Sequence, residues 1–248
     1  MSAGVPQGGF SEGRALQGQV ALVTGASRGI GAALAVELAR HGAHCVLVAR
    51  TQGGLEETDD AIRAAGGTAT LLPFNLVKDA DKIDMFGPSL VERFGRLDIL
   101  AHAAGVLGSL TPIAHIQPRD WTDLVGVNMT ATWRLIRTCD PPLRAAPAGR
   151  AVFLTTDRAR LPKPYWGPYG ATKAGMEHLV QTWAQEVEGS ALRINLCDPG
   201  VVATKLRAQA MPGEDPDSVA QPRDVAPAIA ALCLPDEARH WLTVRLAA

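Results

Sequence analysis

Strand-length apolar runs alternate with longer segments of helical period along almost the whole chain, and this alternation restricts the fold more than any other feature. VALVTG (20–25) precedes IGAALAVELARHG (30–42), HCVLVAR (44–50) precedes a polar segment ending at Gly67, and TATLLPF (68–74) precedes a helical stretch to Phe94. The second half continues with LDILAHAAG (97–105), a helix over about 118–143, AVFLTT (151–156), a helix over about 169–187, LRINLCDPG (192–200) and a last strand in WLTVRL (241–246). Such alternation means a parallel sheet with helical crossovers. The expectation is one α/β domain over residues 18–248, a doubly wound parallel sheet of about seven strands with helices on both faces. Residues 1–17 are Gly-rich and aperiodic and read as a disordered lead-in. The Pro- and acid-containing stretch 211–224 reads as an excursion over one face of the sheet.

Charge and cysteine usage narrow the function. The 248 residues carry 24 Lys+Arg against 25 Asp+Glu, a formal charge of -1. That balance leaves no basic footprint for nucleic acid or an anionic membrane. Four cysteines, at 45, 139, 197 and 233, form no C-x-x-C pair, so they read as buried thiols of a reducing cytosol. No signal-type leader or run of 18 apolar residues is visible, and the expected setting is cytoplasmic. No metal site is expected either, since His102 has no second ligand at a metal-like spacing.

The first strand runs into Thr24-Gly25-Ala26-Ser27-Arg28-Gly29-Ile30-Gly31 and then directly into a helix rich in Ala and Leu. Glycines at a strand-to-helix turn let the backbone curl tightly and approach a pyrophosphate, whose charge the helix N-terminus favours. An acidic residue at the end of the second strand bonds a ribose 2′-hydroxyl, whereas an Arg nearby suits a 2′-phosphate. Here the strand ends Val48-Ala49-Arg50, and Arg28 stands inside the glycine turn. The pair favours NADP(H) over NAD(H); the alternative is two solvated surface arginines.

Tyr169 and Lys173 are four apart on a predicted helix and therefore share a face. A Tyr titrates near 10, too high for acid–base work at neutral pH, and an adjacent ammonium is expected to lower that value. The TGxxxGxG spacing followed by Tyr169-Gly170-Ala171-Thr172-Lys173 resembles the short-chain dehydrogenase/reductase family. The resemblance extends to Asn128 in helix four, a hydroxyl at Thr156 thirteen residues before the tyrosine, and Pro199-Gly200 followed by Thr204. It implies a Rossmann-like fold and a Tyr that exchanges a proton with the substrate oxygen as hydride moves to or from a nicotinamide. It also implies that Lys173 bonds the nicotinamide ribose, that Thr156 bonds the substrate oxygen, and that Asn128 holds a water of a proton relay. Asn128 has an alternative as an amide satisfied by backbone at a helix irregularity, and Thr155 replaces Thr156 if the strand register differs by one. Cofactor contacts fall by this resemblance at Gly25, Ser27, Arg28, Gly29, Ile30, Gly31, Arg50, Asn75, Leu76, Ala104, Gly105, Tyr169, Lys173, Pro199, Gly200, Val202 and Thr204.

Three positions depart from the family pattern. His102-Ala103-Ala104-Gly105 stands where Asn-Asn-Ala-Gly is usual, so the amides that tie that turn are missing. Asn75 replaces a common Asp beside the adenine, and Asp198 precedes Pro199-Gly200 where Asn is common. Together with Thr156 and Tyr169, Trp166 and Leu206 are expected to wall an apolar substrate pocket, with Trp166 open also to an interface role. The reading is an NADP(H)-dependent oxidoreductase that interconverts a carbonyl and an alcohol. The alternatives are a non-catalytic NADP(H)-binding sensor or structural protein and a 3-oxoacyl-(acyl-carrier-protein) reductase. The last would use Arg119, Arg158, Arg160 and Lys163 as a basic patch. The resemblance and the apolar surplus on the 169–187 helix further imply a homodimer or homotetramer.

Overall fold

The structure, a computed structural model, describes residues 14–246; the first thirteen residues of the expected lead-in lie outside the described residues. The remainder of that segment is packed rather than loose. Leu16 is fully buried in the core and its N–H donates to the His41 carbonyl at 2.8 Å, so the ordered domain begins before residue 18.

Seven parallel strands form one sheet in the order β3-β2-β1-β4-β5-β6-β7. They are β1 (Val20–Thr24), β2 (His44–Ala49), β3 (Thr68–Pro73), β4 (Ile99–His102), β5 (Arg150–Leu154), β6 (Arg193–Asp198) and β7 (Thr243–Arg245). The order reverses direction between β1 and β4, which opens a crevice at the carboxyl ends of those strands. Every residue of β1, β4 and β5 is buried because helices cover both faces.

Alternate strand residues feed two cores. On one face Ala21, Val23, Cys45, Leu47 and Val152 pack with α1 (Gly29–Arg40), α2 (Gln52–Ala64) and α8 (Pro222–Ala231). On the other, Leu22, Val46, Val48, Ala151 and Phe153 pack with α3 (Phe86–Phe94), α5 (Ala131–Ala145) and α6 (Gly167–Glu186). The helix expected over 118–143 is continuous but irregular: α4 (Pro118–Val125) passes through a π-type turn at Gly126–Thr130 into α5. Two helices lie where the sequence shows no clear helical period. A short α7 (Lys205–Ala210) follows β6, and α8 begins inside the expected excursion. Pro222 opens α8, and Gln221 and Asp224 close a reciprocal capping box. Only the stretch before Pro222 is the irregular excursion. Among the described residues no helix is long and apolar enough to cross a membrane.

Phe153 joins the sheet to α6 and to the strand beside it. Its ring stands edge-on to Trp183 at 6.3 Å and to His102 at 5.6 Å, with no solvent exposure. Phe153→Ala is expected to cost about 3–5 kcal/mol, the usual loss for an aromatic deleted from a close-packed core. Urea unfolding of the two proteins measures it, and a loss below about 1 kcal/mol would show that the site collapses around the cavity.

Candidate active site

The carboxyl ends of β1, β4, β5 and β6 open into one cleft of about 750 Å³. Gly25 (φ 69°) and Gly29 (φ 58°) make the turn between β1 and α1, in a backbone region that side chains disfavour. A Cβ on Gly25 would lie 2.7 Å from the Ala104 nitrogen, and one on Gly31 would lie 2.4 Å from the Gly25 carbonyl oxygen. The Ala26 N–H is taken by the Val48 carbonyl at 3.2 Å, and at the N-terminus of α1 no side chain caps the helix. That open cradle fits a dinucleotide pyrophosphate.

Every residue expected to touch cofactor or substrate lines this cleft: Gly25, Ser27, Arg28, Gly29, Ile30, Gly31, Arg50, Asn75, Leu76, Ala104, Gly105, Thr156, Trp166, Tyr169, Lys173, Pro199, Gly200, Val202, Thr204 and Leu206. Arg28 and Arg50 are exposed at one end, with the Arg28 guanidinium 3.4 Å from the Thr51 hydroxyl. Lys78 lines the same cleft, a third cation that no motif marks in the sequence. The Asn75 carbonyl oxygen accepts from the N–H groups of Val77 and Lys78, both at 3.0 Å, so it orders its own loop.

Asn128 stands behind the cleft wall. It is fully buried in the π-type turn, where its side chain accepts from the Val106 N–H and donates to the Val106 carbonyl, both at 3.0 Å. It also donates to the Thr172 hydroxyl at 3.0 Å. These bonds occupy the side-chain amide at the helix irregularity. The amide clamps the segment after β4 to α6.

Both threonines line the cleft and differ in their partners. The Thr155 hydroxyl donates at 2.6 Å to the buried Glu177 carboxylate. Thr156 opens the turn after β5. Its hydroxyl donates to Asp157 at 3.2 Å and accepts from the Arg158 N–H at 3.3 Å. Asp157 is itself paired with the Arg158 guanidinium, which holds its carboxyl below the usual range.

The expected lowering of the Tyr169 phenol is corrected. Burial, with the charges of Asp198 and Asp157 behind it, pushes the phenol upward. Lys173 does not offset this, because its ammonium donates to the Leu154 carbonyl at 2.8 Å and is itself pushed down to about 8 by burial, against the opposing charge of Glu177. Trp166 stands edge-on to Tyr169 at 6.0 Å, and Leu206 packs with Leu107, Leu124, Tyr169 and Ala210 as an apolar wall.

His102 takes up bonds of its own where the family pattern has Asn. It is 1% exposed and bonded at both ring nitrogens. Nδ1 lies 2.7 Å from the Thr24 hydroxyl and Nε2 lies 3.2 Å from the Thr132 hydroxyl. Burial, reinforced by the charge of Lys173, lowers its pKa to about 3. No cluster of three or more His, Cys, Asp or Glu side chains among the described residues is arranged to hold a metal ion.

A short chain dehydrogenase family model matches residues 19–215. The uncharacterized oxidoreductase YciK of Escherichia coli K12 is 33% identical over 214 residues, covering 86% of this chain and 84% of YciK. A candidate short chain dehydrogenase from Pseudomonas syringae superposes with a TM-score of 0.90 at 36% identity, over 95% of this chain and 97% of that one. A candidate short chain dehydrogenase from Escherichia coli CFT073, complexed with NADPH, superposes with a TM-score of 0.86 at 31% identity, over 94% and 98% of the two chains.

Burial of a neutral His102 has a consequence in acid. Below about 6.5 the unfolded chain takes a proton at this residue that the folded chain refuses until about 3. Stability contributed at residue 102 therefore falls as pH drops through that window, by up to about 1.4 kcal/mol per unit. His102→Gln has no such proton to take. The stability gap between wild type and variant, measured by urea unfolding, should shrink between pH 7 and pH 4.5. A gap independent of pH would mean that His102 takes up its proton in the folded chain at the same pH as in the unfolded one.

Proposed function

The chain belongs to the short-chain dehydrogenase family of oxidoreductases, and from that premise we propose that it interconverts a carbonyl and an alcohol using NADP(H) in preference to NAD(H). The observation that carries this reading is the meeting of Tyr169, Thr156 and Lys173 in one cleft with the bare glycine turn. Arg28, Arg50 and Lys78 support the cofactor preference. Arg28 and Arg50 flank the end of β2, where a ribose 2′-phosphate would sit, Lys78 after β3 lines the same cleft, and among the described residues none of them is in an ion pair. The NADPH bound by the Escherichia coli CFT073 relative points the same way.

Bound in this cleft, a nicotinamide supplies the hydride for reduction of a carbonyl or accepts it from an alcohol. Tyr169 gives its phenolic proton to the substrate oxygen in the first direction and takes it back in the second. Burial keeps the phenol protonated, so the proton that carbonyl reduction consumes is in place, while the same shift weakens it as an acid. Thr156 orients the substrate oxygen, turning its hydroxyl from Asp157 towards the cleft. Lys173, whose ammonium donates to the Leu154 carbonyl, would hold the nicotinamide ribose and could return a proton to the Tyr169 phenolate. The wall of Leu107, Leu124, Trp166, Leu206 and Met211 suits a largely apolar oxo compound and excludes water from the reacting atoms.

The acyl-carrier-protein reductase reading loses support. Of its four basic residues, Arg158 is paired with Asp157, and Arg160 lies 3.6 Å from Glu177 and 3.3 Å from Asp198. Only Arg119 and Lys163 remain for an acidic partner. A non-catalytic sensor would keep the glycine cradle but has no use for Tyr169, Thr156 and Lys173 lining the same cleft. The cytoplasm suits the chain, whose four cysteines are all buried as free thiols.

NADPH and NADH titrations followed by cofactor fluorescence, then NADPH oxidation over ketones, aldehydes, quinones and β-ketoacyl thioesters, test the proposal. Tighter NADPH binding with turnover on one class is expected, and Tyr169→Phe should remove at least about a hundredfold of that turnover while cofactor affinity holds. Equal turnover in the variant would sink the mechanism, and tight binding without turnover on any class would favour the sensor. We also infer a homodimer or homotetramer through the outer surfaces of α5 and α6, where Trp133 is 44% exposed. Light scattering at micromolar concentration should give at least twice the 26.1 kDa chain mass, and a monomer would refute it.

A further inference from the structure

Thr24 and His102 are paired in register on neighbouring parallel strands, and His102 is paired in the same row with Phe153. The three side chains therefore lie side by side on the face covered by α5, which presents Thr132 to the imidazole.

The hydrogen bonds around this row have one consistent direction. Thr132 donates its hydroxyl proton to the Asn128 main-chain carbonyl at 3.1 Å, so it meets His102 Nε2 as an acceptor. Nε2 must then carry the ring proton and Nδ1 must be bare. A bare Nδ1 accepts from the Thr24 hydroxyl, whose oxygen in turn accepts from the Ala104 N–H at 3.3 Å. Only the Nε2–H tautomer satisfies all four contacts at once. The chain runs from Ala104, which lines the cleft, through Thr24, His102 and Thr132 to the π-type turn at Asn128.

Asn128 closes the circuit. Its amide holds both backbone groups of Val106, so residues 104–106 are gripped at one end through Thr24 and at the other by Asn128. His102 ties the two grips together. Gly105, between them, lies beside Lys173: a Cβ there would be 3.7 Å from its Nζ.

We propose that His102 is a positioning residue, a neutral two-sided brace that sets the Ala104–Val106 wall of the cleft against the Asn128 turn and thereby shapes the nicotinamide end of the site. The proposal rests on the dinucleotide reading above. A neutral ring suits this role. It is surrounded by hydroxyls and apolar groups, the one charged side chain acting on it is Lys173, and both burial and that ammonium keep it neutral. A brace that never titrates in the working range holds one geometry.

His102→Phe keeps an aromatic ring against Phe153 and removes both ring nitrogens; Thr132→Val keeps shape and removes one link. In wild type, ¹⁵N NMR should show His102 as the Nε2–H tautomer, unchanged between pH 5 and pH 8. In folded His102→Phe the Ala104 and Val106 amides should exchange faster with solvent and NADPH affinity should fall about tenfold, with a smaller fall in Thr132→Val. An Nδ1–H or titrating ring, or variants that lose thermal stability while amide protection and NADPH affinity stay at wild-type values, would overturn the brace. Should His102→Phe fail to fold, Thr132→Val decides by the same two readouts. If wild type itself takes no NADPH, the cofactor reading falls, and the tautomer and amide protection still decide the brace.

Discussion

The backbones of two turns, one after β1 and one after β4, come so close that only the absence of a side chain permits it. A Cβ on Gly25 would stand 2.7 Å from one Ala104 atom and 2.8 Å from another. This contact lies at the point where strand order reverses, and the cleft exists because the crossovers on either side depart in opposite directions there. The glycine turn and the residues after β4 thus form two walls of a single crevice. Tyr169, Lys173 and Thr156 reach it from β5 and α6 because that strand is the next one along.

Electrostatic strain is concentrated on the same few residues. Keeping Lys173 in a fully enclosed position, where its pKa falls from 10.5 to about 8, costs about 3 kcal/mol relative to an exposed lysine. Tyr169 is pushed the other way by the same burial. Burial thus moves each group towards its uncharged form, so the phenol keeps its proton for the substrate oxygen until the reaction draws it away, while Lys173 at about 8 stays largely an ammonium at neutral pH. Two dense cores on either side of the sheet carry the burden.

Much of this is legible in the chain because it depends on period and spacing. Alternate residues of β1 and β2 enter opposite cores as their apolar runs require, and every candidate site residue but Asn128 lines the cleft. What escapes depends on partners distant in sequence. Prolines at 222 and 227 disguise α8, although Pro at a first helical position is favourable and the Gln221–Asp224 box confirms the start. Leu16 reads as part of a flexible leader because one apolar residue among glycines carries no period; its burial comes from the α1–β2 corner it packs on. Lys78 bears no signal at all, since a loop cation acquires meaning only from the cations folded beside it.

The most instructive difference concerns the turn after β4. Judged by residue type, His-Ala-Ala-Gly lacks the amides that tie the turn, and the lost bonds imply a looser one. Judged by register, residue 102 faces Thr24 on one side and meets Thr132 from the helix above, two hydroxyls each able to give and to take a proton. An imidazole offers one donor and one acceptor on opposite edges of a rigid ring, and so spans a gap between hydroxyls that a shorter amide would fill only from one side. The requirement at this position is therefore a complementary donor–acceptor pair at a fixed separation, not a particular residue. A pattern written in residue names records one solution to that requirement and hides the others. Hydrogen-bond direction, followed from the Asn128 carbonyl back to the Ala104 amide, exposes the requirement itself.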